Sequence, residues 1–169
     1  LDQTFDPAAG LFNTTNFPGA STDNLTAARK TYAVLPGRVV TGASQAQLRN
    51  CTVHASGSGI VGGIGILFFP GASGNVDSCT SSGNPADGIM LDGAIVGITN
   101  STLKSNGRNG VFVFGGSTGR IGFTNAYVPA PNTISDNGGN GIHVTQNSQG
   151  LIYGNTVTGN GTNPNSPVG

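Results

Sequence analysis

The side chains of this chain that are equipped for chemistry are few and far apart. His54 and His143 are the candidate general bases by residue type. The acids are all aspartate, at Asp2, Asp6, Asp23, Asp77, Asp87, Asp92 and Asp136. Hydrolysing a glycosidic bond takes two carboxylates facing that bond, and these positions align into no paired column. Lys104, Arg108 and Arg120 have the charge to hold an acidic sugar and serve equally well as solvated side chains. No Cys/His cluster has metal-ligand spacing, so neither a metal nor any other cofactor is expected, and no catalytic residue is assigned.

What positions these residues is a repeat. The stretches VGGIGIL (61–67), PADGIML (85–91), GRNGVFV (107–113) and GGNGIHV (138–144) share one design. Four residues before each glycine turn comes an apolar residue: Val53, Cys79, Leu103, Ile134, Val157. The intervals are 26, 24, 31 and 23 residues, and the long one contains the insertion FTNAYVPAP after Ile121. Aliphatic pairs follow the turns: Ile64 and Ile66, Ile89 and Leu91, Val111 and Val113, Ile142 and Val144. A third set, Leu48, Val76, Ile98, Ile121 and Ile152, precedes the first. Each repeat thus holds three short strands alternating with period two. A unit this small cannot pair its own backbone groups, so successive units must stack in parallel about 4.8 Å apart, which makes a solenoid.

The segments NTISDNGGNGIHV and LIYGNTVTGNG resemble the repeats of right-handed parallel β-helix proteins, the family of pectate lyases, polygalacturonases, alginate epimerase modules and phage tailspikes. The resemblance runs from about Leu48 to Gly161 and singles out no member. It implies an all-β, right-handed parallel β-helix of about four to five coils over residues 41–169. Residues 1–40 are expected to be an N-terminal cap or cover, with a short helix over STDNLTAARKTY capped by Ser21, Thr22 or Asp23. The resemblance also implies a polysaccharide site on an outward sheet face. Yet the polygalacturonase strings NTD, GHG and RIK, the epimerase string DPHE and an acidic calcium cluster are all missing.

On the strand after the glycine turn, one outward column reads Gly65, Met90, Phe112, His143 and the next Leu67, Asp92, Phe114, Thr145, with Phe68 nearby. An exposed apolar stripe in so polar a chain calls for a partner: a sugar on the Phe rings, another subunit of a homotrimer, or the N-terminal segment folded back. Arg120 is expected to point outward beside Tyr153 of the neighbouring coil. The substrate-binding candidates are therefore Met90, Asp92, Phe112, Phe114, His143, Arg120 and Tyr153. Asn106, Asn137 and Asn160 form one expected amide ladder, and Asp87 joins Asn109 and Asn140 in another. Thr52, Thr102, Thr133 and Thr156 form an outward column like those of ice-binding solenoids, but its companion column drifts through His54, Lys104, Ser135 and Thr158. Cys51 and Cys79, 28 residues apart, either stack and form a disulfide, stabilising by about 3 kcal/mol, or remain free thiols, since Cys79 also aligns with Leu103.

Composition narrows the remaining classes. With 29 glycines, 9 prolines and 8% charged residues the chain is poor in helix formers. It has no apolar run near the roughly 18 residues of a membrane span. Zero net charge and the lack of a basic stripe argue against nucleic acid. A surface of Ser, Thr, Asn and Gly fits a secreted, cell-surface or virion-surface setting. The start at LDQTF and the end at NPNSPVG lead us to expect a longer parent chain. Two functions remain: a glycan-directed module of lyase, hydrolase or depolymerase type, and a noncatalytic rod such as an adhesin or fibre segment.

Overall fold

In the computed structural model, residues 38–40, 45–54 and 63–161 are described. The expected cap over 1–40 lies outside them, apart from the strand Arg38–Val40, which already belongs to the first coil.

Among the described residues, fifteen strands form five coils of three. Sheet I stacks β1 (Arg38–Val40), β4 (Ile66–Phe68), β7 (Ile89–Asp92), β10 (Val111–Phe114) and β13 (Ile142–Val144). Sheet II stacks β2 (Gln45–Arg49), β5 (Ser73–Asp77), β8 (Ile95–Thr99), β11 (Thr118–Ile121) and β14 (Gln149–Ile152). Sheet III stacks β3 (Thr52–His54), β6 (Thr80–Ser82), β9 (Thr102–Lys104), β12 (Thr133–Ser135) and β15 (Thr156–Thr158). Every strand pairing is parallel and joins equivalent strands of adjacent coils.

Alternation sends every second side chain inward. Leu48, Val76, Ile98, Ile121 and Ile152 form one inward column in the register expected from the sequence. Ile66, Ile89, Val111 and Ile142 form a second, and Phe68, Leu91, Val113 and Val144 a third. Most of these side chains are fully buried in one continuous core, and each contributes about 1.5–3 kcal/mol of transfer free energy.

The second coil departs from expectation in two places. Its inward pair on sheet I is Ile66 and Phe68, not Ile64 and Ile66, so Phe68 is a core residue rather than part of the outward stripe. On sheet III the residue above Val53 is Ser81, not Cys79. The coil spacings are therefore 28, 22, 31 and 23 residues. Ser81 occupies an aliphatic position at no polar cost, because its hydroxyl donates to Gly88 O at 2.8 Å and accepts from Asn84 Nδ2 at 3.0 Å.

Between the sheets, side-chain ladders satisfy the turns. Asn84, Asn106, Asn137 and Asn160 run through four coils, the Oδ1 atoms of Asn106, Asn137 and Asn160 each accepting from the amide and Nδ2 of the preceding coil's asparagine. Asp87, Asn109 and Asn140 form the shorter ladder with the opposite sense, ending on the Asp87 carboxylate. The glycines opening the sheet I strands are there for close approach: a Cβ at Gly110 would lie 2.5 Å from Ile134 Cγ2, and one at Gly141 2.4 Å from Val157 Cγ1. Positive φ falls instead at the turn leaving sheet III, at Gly83, Ser105, Asp136 and Gly159.

Asn106 is buried and bonded to Asn84, Asn137 and the Ser81 carbonyl at 2.8–3.2 Å. Removing its amide strands donors and acceptors that each cost about 1–3 kcal/mol when unmet. Asn106→Ala should lower the unfolding free energy by about 3 kcal/mol in urea titrations followed by circular dichroism, while the exposed Lys104→Ala should change it by less than about 0.5 kcal/mol.

Candidate functional site

The outward face of sheet I carries an aromatic platform. Leu67, Met90, Phe112 and His143 are cross-strand neighbours in one column, and Asp92 pairs with Phe114 in the next. In the second coil this replaces Gly65 by Leu67 in the first column, following the register correction above. The Phe112 and Phe114 rings are stacked nearly parallel, with 8° between their planes and centroids at 4.9 Å, and the His143 ring adjoins Phe112 at 5.2 Å. Period two puts residues 112 and 114 on one side, and β10 holds both rings rigidly because neighbouring strands flank it on either edge.

The two ends of the platform differ. Toward the second coil, Leu67 is 3% exposed although it points away from the core, packed in a separate cluster with Ile64 and Ala86, against which Phe69 and Met90 also pack. Toward the fourth and fifth coils, Phe112, Phe114 and His143 are only half-buried. Arg108 borders this open end, its Cζ 6.0 Å from the Phe112 ring centroid and its Nη1 3.9 Å from Asp87 Oδ2. Asp87 is fully buried. Its Oδ1 accepts from the amide and Nδ2 of Asn109 at 3.0 and 2.7 Å, and its Oδ2 makes no hydrogen bond. It is a ladder terminus, as expected, and not an exposed acid.

The sequence candidates do not all meet. Met90, Asp92, Phe112, Phe114 and His143 share sheet I, whereas Arg120 and Tyr153 belong to the sheet II side. Arg120 pairs with Leu151, not Tyr153, and its side chain runs toward the earlier coils, where Nη2 donates to Asn75 Oδ1 at 3.3 Å. His54 sits on sheet III with Nδ1 3.1 Å from Ser82 O. Among the described residues no carboxylate lies within 4 Å of either imidazole, and no group of three His, Cys or Asp side chains is arranged to hold a metal. The described carboxylates are dispersed: Asp77 on sheet II bonds Thr99 and Asn100, Asp92 ends β7, and Asp136 occupies a turn. Sequence reasoning missed Thr80, which completes a five-residue column with Thr52, Thr102, Thr133 and Thr156. It also missed a cleft lined by Phe123, Tyr127, Leu151, Ile152 and Tyr153. The only signal for the cleft was the aromatic content of the insertion.

Cys51 and Cys79 stack at the 28-residue register, both buried and both free thiols. Cys51 Sγ donates to Arg49 O at 3.3 Å and Cys79 Sγ to Asp77 O at 3.2 Å. They head a turn column that continues through Ser101, Asn132 and Asn155.

A family model for the right-handed beta helix region matches residues 31–130, more than half of the chain. The chain belongs to the right-handed β-helix family. Neither the curated proteins nor the solved structures gave a match. Membership in this family carries the fold and the stacking rule.

The hydrogen bond with Cys51, together with burial, pushes the Cys79 thiol well above the ordinary thiol range. The folded state therefore keeps a proton that the unfolded chain releases above pH of about 8.5, so this contribution is present below that pH and declines as pH rises through it. The expected outcome is falling stability between pH 8 and 10 that Cys79→Ser abolishes. Iodoacetamide should label neither thiol in the native β-helix and both after denaturation, as read by mass spectrometry.

Proposed function

We propose that this β-helix is an extracellular glycan-binding module that holds an extended sugar chain against the open end of the sheet I platform. The single observation carrying this reading is the Phe112–Phe114 pair, two rings stacked at 8° on a stiff sheet, with His143 beside them. The apolar C–H face of a pyranose packs against such rings, while Asp92, Arg108 and His143 border them with groups that hydrogen-bond hydroxyls. The sheet repeats along its axis with the strand spacing, and a linear polymer laid along that axis meets successive coils.

Binding, rather than turnover, is the activity the side chains support. A glycosidase needs two facing carboxylates, and the described residues place Asp92 on the platform with no second acid paired to it. A surface rich in Ser, Thr and Asn with only 8% charged residues supports a setting outside the cell.

Each ring contributes about 0.5–1.5 kcal/mol, so Phe112→Ala and Phe114→Ala should each weaken glycan binding about two- to twelvefold with unchanged circular dichroism. The measurement is a glycan array followed by isothermal titration of the hits. Light scattering supplies the opposing outcome: a trimer whose assembly Phe112→Ala disrupts, with no sugar bound by any form, would replace this reading by the structural rod.

A further inference from the structure

Sheet II carries a second constellation on a different face. Its central outward column reads Gln47, Asn75, Gly97, Arg120 and Leu151. Arg120 lies flat across the place of Gly97, with Nη2 donating to Asn75 Oδ1 at 3.3 Å, and Asn75 Nδ2 donating to Gln47 Oε1 at 3.1 Å. The slot exists because residue 97 has no side chain: a Cβ there would stand 2.6 Å from Arg120 Nη2 and 2.5 Å from Asn75 Oδ1. The guanidinium is thus held in place before any ligand arrives, and Arg120 Nε is buried with no hydrogen-bond partner. Among the described residues no carboxylate neutralises it, since the ion pair found there joins Arg108 to Asp87. Asp77, the acid on this sheet, has Oδ1 engaged by Thr99 Oγ1 and Asn100 Nδ2 at 2.8 and 2.9 Å.

Farther along the same face, Leu151 opens the aromatic cleft, whose volume is about 370 Å³. The insertion after Ile121 supplies one wall: an antiparallel bridge between Phe123 and Pro129 folds it back, and the Tyr127 ring stacks on Phe123 at 5.7 Å and 13°. Tyr127 holds a φ of +61°, a conformation that a bulky L-residue adopts only under constraint. Tyr153, 62% exposed, lies on the other side. Leu151 and Gly97 flank β11 on opposite edges, so the cleft and the guanidinium are separated by two strand spacings, about 10 Å.

We propose that sheet II is a second saccharide site specific for acidic sugars: the Tyr127–Tyr153 cleft takes one ring of an oligosaccharide, and the preset Arg120 guanidinium pairs with an oxyanion, carboxylate or sulfate, on a ring farther along. A planar guanidinium matches either oxyanion, and its prior immobilisation lowers the entropy lost on binding. The site is independent of the sheet I platform.

The test titrates the full chain with oligosaccharides matched in length: uronate, O-sulfated and neutral. At least one acidic series should bind tenfold or more tighter than the neutral one at low salt, and the arm that does so identifies the oxyanion. Arg120→Gln should erase that preference while leaving neutral binding unchanged. Gly97→Ala keeps the charge but displaces the guanidinium, and should erase it too, which separates positioning from net charge and covers a folding defect in the first variant. Tyr153→Ala should weaken the acidic series, and Phe112→Ala should leave the preference intact. Equal affinity for acidic and neutral sugars, or a preference that survives both Arg120→Gln and Gly97→Ala, overturns the sheet II site without touching the platform. Loss of neutral binding in Phe112→Ala leaves the sheet II assignment standing.

Discussion

Everything in this molecule depends on one coil having no hydrogen-bonding partner for its strands except the coil beside it. Backbone N–H and C=O groups left unmet in a dry interior are costly, and here they are met by parallel neighbours throughout the described strands. That condition forces like over like. Once Leu103 sits above Ile134, the residues on either side of both are fixed in their own columns. The turns, where no strand is available, reach the same end with side chains: the amides of Asn106 and Asn137 are received by the Oδ1 atoms of Asn137 and Asn160.

This condition also explains which parts of the structure were legible in the sequence. The column from Leu48 to Ile152 and the ladder positions Asn106, Asn137 and Asn160 and Asp87, Asn109 and Asn140 could be read directly, because each repeats a residue type that only stacking makes useful; Asn84, which opens the first ladder, and the Asn132–Asn155 pair were not read. The second coil was misread, for a physical reason. GGIGILFF offers two registers two residues apart, both of which keep the strand's alternation, and Ser81 replaces the apolar marker that would have chosen between them. The choice falls to packing, which buries Phe68 completely. Cys79 shifts with it, out of the aliphatic column and into the turn above Cys51.

The faces were less legible than the core. Which residues point outward follows from period two, and the Phe112–His143 neighbourhood was recovered that way. Where a long side chain goes after leaving the sheet does not follow from periodicity. Arg120 turns toward Asn75 because Gly97 leaves a gap, and in sequence Gly97 reads as an empty position rather than a receptacle. The cleft at Tyr153 depends on how the insertion folds back, which its aromatic content hints at but does not determine. Because the core is shared and the faces are not, this β-helix keeps two dissimilar surfaces, one with stacked phenyl rings and one with a fixed cation, on a single scaffold.

The insertion between Ile121 and Asn132 shows how such a scaffold accommodates new material. The coil closes beneath it without a change of register: Ile121 still pairs with Ile152 below, and Thr133 resumes the ladder with Thr102 and Thr156. A segment grafted at that corner is charged only the slowly growing entropy of closing a larger ring, because no strand pairing is sacrificed. This corner is therefore a natural port for diversification, where lengthening or exchanging the loop would reshape the neighbouring cleft while every coil keeps its place.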